Sequence, residues 1–234
     1  MRSVRREVAP KVSIASQTEI GASRNFQKHT NPNRLHQWLL RRFHKQVTHL
    51  VAAALDALGS VASHAQQSPT VVDVGCGEGF VASHLAKQFP GLRLLGVEQR
   101  PSAVGYAKEQ AIDAANWLAA DIYHLPLRDA SVPVVLCLEV LEHLSQPLVA
   151  LQELQRVCSG ALILSVPNQP FFALANLLRG KNLRTLGDDP EHISHWRAAT
   201  FLRLARSAAM EVDRVAYAFP WVIVMGKPKG HLRG

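Results

Sequence analysis

The stretch Val71-Val72-Asp73-Val74-Gly75-Cys76-Gly77-Glu78-Gly79-Phe80 decides the fold of this chain. Its first residues are apolar and β-branched, so residues 70–74 read as a buried strand. The strand ends in Gly-x-Gly-x-Gly, and a helical pattern over residues 80–89 follows, closed by Pro90-Gly91. Glycines at such a junction permit a tight turn and let a ligand approach the backbone closely. In open α/β sheets, ligands lie outside the carboxyl ends of the strands.

The same alternation continues outward. Strands are expected at residues 92–97, 117–120, 132–140 and 161–166, and helices at 102–111, 147–157 and 198–209. Residues 212–218 and 221–225 read as a terminal hairpin around Phe219-Pro220. Near-continuous apolar strands alternating with helices imply a Rossmann-like α/β fold, a mostly parallel sheet covered on both faces. Residues 167–194 break the pattern with Pro, Asn, Gly and Asp. A long irregular loop inside a compact domain is usually functional, so this one reads as a lid and specificity element.

The glycine spacing selects the ligand. A dinucleotide turn is Gly-x-Gly-x-x-Gly, with a pyrophosphate at the helix N-terminus. Here the third glycine comes one residue early, and Asp73 and Glu78 stand beside the turn. Carboxylates repel a pyrophosphate but suit a ligand with a cationic end, such as the sulfonium and ammonium of S-adenosyl-L-methionine. Glu98 ends the next strand, where a carboxylate accepts both ribose hydroxyls. Asp121 follows the strand after that, within reach of an adenine amino group.

With these residues in order, the chain resembles the class I S-adenosylmethionine-dependent methyltransferases over roughly residues 66–226. DVGCGEGF resembles their first motif, GVEQ their ribose-binding strand end and AADIYHLPL their adenine-side motif. The resemblance implies a doubly wound, seven-stranded sheet with an antiparallel final hairpin. It implies a cofactor site of Asp73, Gly75, Cys76, Gly77, Gly79, Glu98, Gln99, Asp121, Ile122 and Glu139.

The strand at 132–140 runs into Glu139-Val140-Leu141-Glu142-His143, where a methyl acceptor would arrive. An already activated methyl group needs chiefly positioning. A base is required only for a hydroxyl, phenol or acidic carbon, and His143, His192 and Glu142 are the expected catalytic residues, with His195 a further candidate. No metal is expected. The alternative set Glu139, Glu142, His143 and His192 resembles the divalent-metal site of small-RNA 2′-O-methyltransferases. The expected activity is O- or C-methylation of a small-molecule or lipid-linked acceptor. The alternatives are that metal-assisted RNA enzyme and a non-catalytic partner subunit of the same fold.

The chain has 234 residues and 47% hydrophobic residues, enough for one α/β domain with a sizeable core and an added segment. Its net charge of +8 resides in residues 1–50, while residues 51–234 balance 16 basic against 16 acidic side chains. A neutral main domain argues against nucleic acid as partner, and the basic start suits a peripheral membrane contact or a solvated tail. We therefore expect a flexible basic arm (1–32), a helical cap (33–65) and the main domain (66–234). The cap rests on Leu35, Trp38, Leu39, Phe43, Val47, Leu50, Val51 and Leu55 at three- and four-residue steps. Three scattered cysteines, no apolar leader and no spanning run lead us to expect a cytoplasmic protein without disulfides.

Overall fold

A computed structural model of the chain describes residues 23–61, 70–109, 115–169, 171–178 and 193–229. In chain order these carry α1 (Arg24–Thr30), α2 (Arg34–Val61), β1 (Thr70–Val74), α3 (Phe80–Gln88), β2 (Arg93–Glu98), α4 (Pro101–Glu109) and β3 (Ala115–Ala119). Then come β4 (Val132–Leu138), a 3-10 turn (Leu141–His143), α5 (Pro147–Val157), β5 (Cys158–Pro167), α6 (Phe171–Leu178), α7 (Ala198–Ser207), β6 (Met210–Ala218) and β7 (Trp221–Pro228).

The sheet has seven strands in the order β3-β2-β1-β4-β5-β7-β6. β1 to β5 pair in parallel, and β7 runs antiparallel to both β5 and β6. This is the doubly wound arrangement with a terminal hairpin that the alternation and the resemblance imply. The strand order reverses between β1 and β4, so the ends of these two strands open a crevice. The glycine turn leaves β1 there, and Glu139 leaves β4 there.

Two-residue periodicity divides the core between the sheet faces. Val72, Val74, Val135 and Cys137 face α5 and α7. Val71, Val134, Leu136 and Ile163 face the opposite way, onto α2 and α3. α2 opens on Asn33, whose Oδ1 accepts the backbone N–H of His36 at 3.0 Å, as an N-cap does. Its Leu39, Leu40, Phe43, Val47, Leu50 and Val51 are buried against that second face. Each large side chain so buried contributes about 1.5–3 kcal/mol. The cap is thus a layer of the sheet domain; among its large apolar side chains, Leu35 and Trp38 near its start are exposed.

Two expectations need correction. The arm does not run loose to residue 32, because Arg24–Thr30 is helical and packed. Ser23 caps α1, its Oγ accepting from Phe26 N–H at 3.4 Å. The irregular loop is not irregular throughout either, since Phe171–Leu178 is a helix rich in apolar residues. Its later part, including His192, lies outside the described residues.

Candidate functional site

Three glycines of the turn need left-handed backbone: Gly75, Gly77 and Gly79 have φ of 78°, 54° and 79°. A Cβ at Gly75 would strike Val140, one at Gly77 would strike Asn25, and one at Gly79 would strike Trp117. The turn is therefore pressed from three sides, and its backbone can meet a ligand only because these residues lack side chains. Gly75 and Cys76 donate their N–H groups to Val97 O at 2.7 and 3.1 Å, which fastens the turn to β2.

Glu98, the last residue of β2, bridges the crevice floor. Its Oε2 accepts Gly77 N–H at 3.0 Å, and its Oε1 accepts Arg100 N–H at 3.0 Å and Arg100 Nε at 3.2 Å. Asp73 is buried behind it, and its Oδ2 has no hydrogen-bond partner among the described residues. Burial, and next the charge of Glu98, push the Asp73 carboxyl up to about 7. An orphaned acceptor, a second carboxylate and a side-chain-free turn suit a ligand with hydroxyl and ammonium donors and no phosphate. That donor set fits S-adenosyl-L-methionine.

Glu78 is engaged otherwise. It is buried and accepts from the amide of Asn25 and from Arg100 Nη2 at 3.4 Å. Cys76 is buried, and burial first and Asp73 next raise its thiol well above the usual range, so it is no nucleophile. Gln99 is exposed at the bend after β2. Asp121 is partly exposed and accepts Tyr123 N–H at 3.0 Å, which shapes the loop after β3. Ile122 packs on the first core face.

The β4 end is electrostatically loaded. Glu139 has φ of 60°, an unusual backbone conformation for a non-glycine residue. Its Oε1 accepts Ser165 Oγ at 3.2 Å, and its Oε2 accepts the indole N–H of Trp221. Lys28 Nζ stands 3.5 Å from Oε2. Burial raises the Glu139 carboxyl, against the pull of Lys28 and Trp221. These partners come from β5, β7 and α1, so Glu139 joins the end of β4 to three other elements.

Glu142 is buried, with neither oxygen hydrogen-bonded among the described residues. Burial, then Glu139, raise its carboxyl well above the usual range and favour the neutral acid, a poor base. Its carbonyl accepts Ile193 N–H at 2.9 Å and Ser194 N–H at 3.1 Å, so Glu142 tethers the loop that returns to the crevice. His143 and His195 are exposed. Of the alternative metal set, His192 lies outside the described residues. Among the described residues no three His, Cys, Asp or Glu side chains are placed to hold an ion. Glu139 is already engaged by Ser165, Trp221 and Lys28.

Sequence reasoning missed Asn25, Lys28, Phe43, Arg100, Trp117 and Trp221 as residues of the crevice. Only Ser23, a capping residue, marks α1 in the sequence. RNFQKHT has one large apolar side chain and therefore no amphipathic period.

A family model described as a methyltransferase domain matches residues 72–163, from β1 into β5. A probable S-adenosylmethionine-dependent methyltransferase of Mycolicibacterium smegmatis is 30% identical over 150 residues, covering 61% of this chain and 52% of that protein. The malonyl-[acyl-carrier protein] O-methyltransferase of Hahella chejuensis is 32% identical over 114 residues, covering 47% of this chain and 41% of that protein. The chain thus spans about half the length of the curated relatives it matches. The magnesium protoporphyrin IX methyltransferase of Synechocystis, solved with SAH bound, superimposes with a TM-score of 0.62 at 18% identity, covering 92% of this chain and 94% of that one. At that identity the likeness is one of fold.

Proposed function

We propose that the chain is a class I S-adenosylmethionine-dependent methyltransferase, transferring a methyl group from S-adenosyl-L-methionine to a small-molecule or lipid-like acceptor. The observation that carries this reading is the pairing of a left-handed glycine turn with Glu98 at the switch point of the sheet. The bound cofactor supplies an activated methyl group. The glycine turn, Asp73 and Glu98 hold and orient it. The β4 end, with Glu139 beside the crevice, positions the acceptor, and α1 excludes water from the turn side.

The acceptor class rests on α6 and its surroundings. Phe171, Leu174 and Leu177 are exposed on α6, and Phe219 is exposed with its ring 6.1 Å from that of Phe171. α6 follows β5 directly, so this apolar surface lies beside the strand ends and suits an acceptor with an apolar body. Among the described residues no helix is long and apolar enough to cross a membrane.

The test is thermal unfolding of the full chain with S-adenosyl-L-methionine, its demethylated product, NAD or NADP. At about 100 times Kd a ligand stabilises by about 2.7 kcal/mol. For a domain of this size that is roughly 5–10 °C. A rise with the two adenosyl ligands alone supports the reading. No rise at millimolar concentration overturns it.

A further inference from the structure

Lys28 occupies a box of aromatic and acidic side chains. Its Nζ lies 3.5 Å from Glu139 Oε2, 5.1 Å from the Trp221 ring centre and 5.8 Å from the Phe43 ring centre. The two rings stand 5.1 Å apart. Trp221 also donates its N–H to Glu139, which fixes the carboxylate against the indole. The buried carboxyl of Glu142, without a hydrogen-bond partner among the described residues, senses both Glu139 and Lys28. Two aromatic faces with a carboxylate, in a half-buried site, are the chemistry that recognises an ammonium group.

The walls of the box belong to the sheet domain, and its occupant comes from a short helix. Phe43 lies on α2 and Trp221 opens β7, both in the packed core, and Glu139 directly follows β4. Lys28 comes from α1, which has seven residues, too few to persist alone in water. α1 is held by replaceable contacts: Asn25 to Glu78, Phe26 against Phe80 and Tyr106, and His29 stacked on Phe80 at 4.4 Å. His36 and Gln37 of α2 tether its C-terminal carbonyls, through Lys28 O at 2.6 Å and His29 O at 3.2 Å. Such an element is drawn from the low-stability end of a fold, where opening is easiest.

We propose that Glu139, Trp221 and Phe43 form the subsite for an amine on the methyl acceptor, and that Lys28 fills it in cis when α1 is closed. The inference rests on the methyl-transfer reading and names its substrate class. It replaces the oxygen or carbon acceptor expected from the sequence with nitrogen. The bound ammonium passes one proton to the Glu139 carboxylate. The freed lone pair on nitrogen bonds to the sulfonium methyl carbon as the carbon–sulfur bond breaks. The electron pair of that bond stays on sulfur, which leaves as a neutral thioether. Nitrogen departs as the methylated ammonium, and Glu139 returns its proton to water. Burial raises the Glu139 carboxyl and so brings it nearer to the amine it must deprotonate.

The experiment uses the full chain as wild type, Lys28→Ala, Lys28→Met, and Lys28→Ala combined with Glu139→Gln. The probe is n-butylamine hydrochloride, which matches the lysine side chain in length. Sodium butyrate and n-butanol at equal pH and ionic strength are the controls. Melting temperature with and without S-adenosyl-L-methionine is the readout. Butylamine should bind the two single variants at least about tenfold more tightly than wild type, in line with one desolvated cation–π contact. The double variant should lose that gain. In wild type, which folds irrespective of the variants, butylamine but not butyrate should speed tryptic cleavage after Lys28 by displacing it from the box. The proposal is overturned if butylamine does no better than the controls in the folded variants and leaves cleavage of wild type unchanged. It is also overturned if loss of Lys28 tightens only S-adenosyl-L-methionine, since the box then serves the cofactor's own cation. If the cofactor shifts no form of the protein, the methyl-transfer reading has failed instead.

Discussion

The Glu98 carboxylate accepts the backbone N–H of Gly77 at 3.0 Å, so the end of β2 holds the middle of the glycine turn 21 residues earlier. The same carboxylate binds Arg100 through its backbone and Nε. Hydrogen bonds to a charged group contribute about 1.5–3 kcal/mol. Glu98→Ala should lower unfolding free energy by about that amount in urea titration. It should also abolish the melting shift given by S-adenosyl-L-methionine. A full shift in a folded Glu98→Ala protein would remove Glu98 from the cofactor site.

Gly79 tests the turn from the other side. Its φ of 79° costs an L-residue about 1–2 kcal/mol, and an added methyl meets Trp117 as well as Ala107 at 3.2 Å. Gly79→Ala should therefore destabilise by more than the backbone cost alone. Adding Trp117→Leu should recover the steric part and leave the backbone part, a separation that a double-mutant cycle measures.

Arg156 clasps the loop that carries Asp121 and Ile122 toward β4. It donates to Leu127 O at 2.9 Å, to Leu125 O at 3.0 Å, and through two nitrogens to Glu153 at 2.7 Å each. Glu153 in turn accepts Leu125 N–H at 2.7 Å. A planar fork makes these bonds together and an ammonium does not. We expect Arg156→Ala to cost about 2 kcal/mol, discounted for partial exposure. Arg156→Lys should recover less than half. Both should weaken cofactor binding, measured by calorimetry, although neither residue lies in the turn.

His29 couples α1 to pH. Burial first, then Lys28, lower its pKa from 6.5 to about 3. Above 6.5 the ring is neutral in both states and costs nothing. Between 6.5 and 3 the unfolded chain takes up a proton that the folded chain refuses, so stability falls as pH falls. The slope is about 1.4 kcal/mol per pH unit for one group. Asp73 acts in the opposite direction, its contribution fading as pH rises from 3.8 to about 7. It cancels when wild type is compared with His29→Phe, which keeps a ring on Phe80. The difference in stability between the two should shrink steadily from pH 4 to pH 6.5. A difference independent of pH would place the His29 ring in solvent.

Much of the cofactor half was legible in the sequence because its signals are local. Val71 to Phe80 carry strand, turn and helix in ten adjacent residues, and Glu98 follows at the next strand end. The surroundings of Glu139 were not. Lys28, Phe43, Glu139 and Trp221 lie on four separate elements and meet only when β7 inserts beside β5 and α2 covers the sheet. The short α1 has no period, because side chains from elsewhere hold it in place.

Sequence alone determined the parallel sheet, the site of its glycine turn and the nature of the ligand at that turn. Those follow from hydrophobic period, backbone freedom and the sign of neighbouring charges, all of which act over a few residues. Tertiary structure alone decided that Glu78 is engaged by Asn25, that burial raises the Glu142 carboxyl, and that a lysine from the N-terminal segment sits beside two rings at Glu139. Each depends on which distant groups share a desolvated space. Burial and Coulomb interaction act there through distance in space, which separation along the chain does not encode.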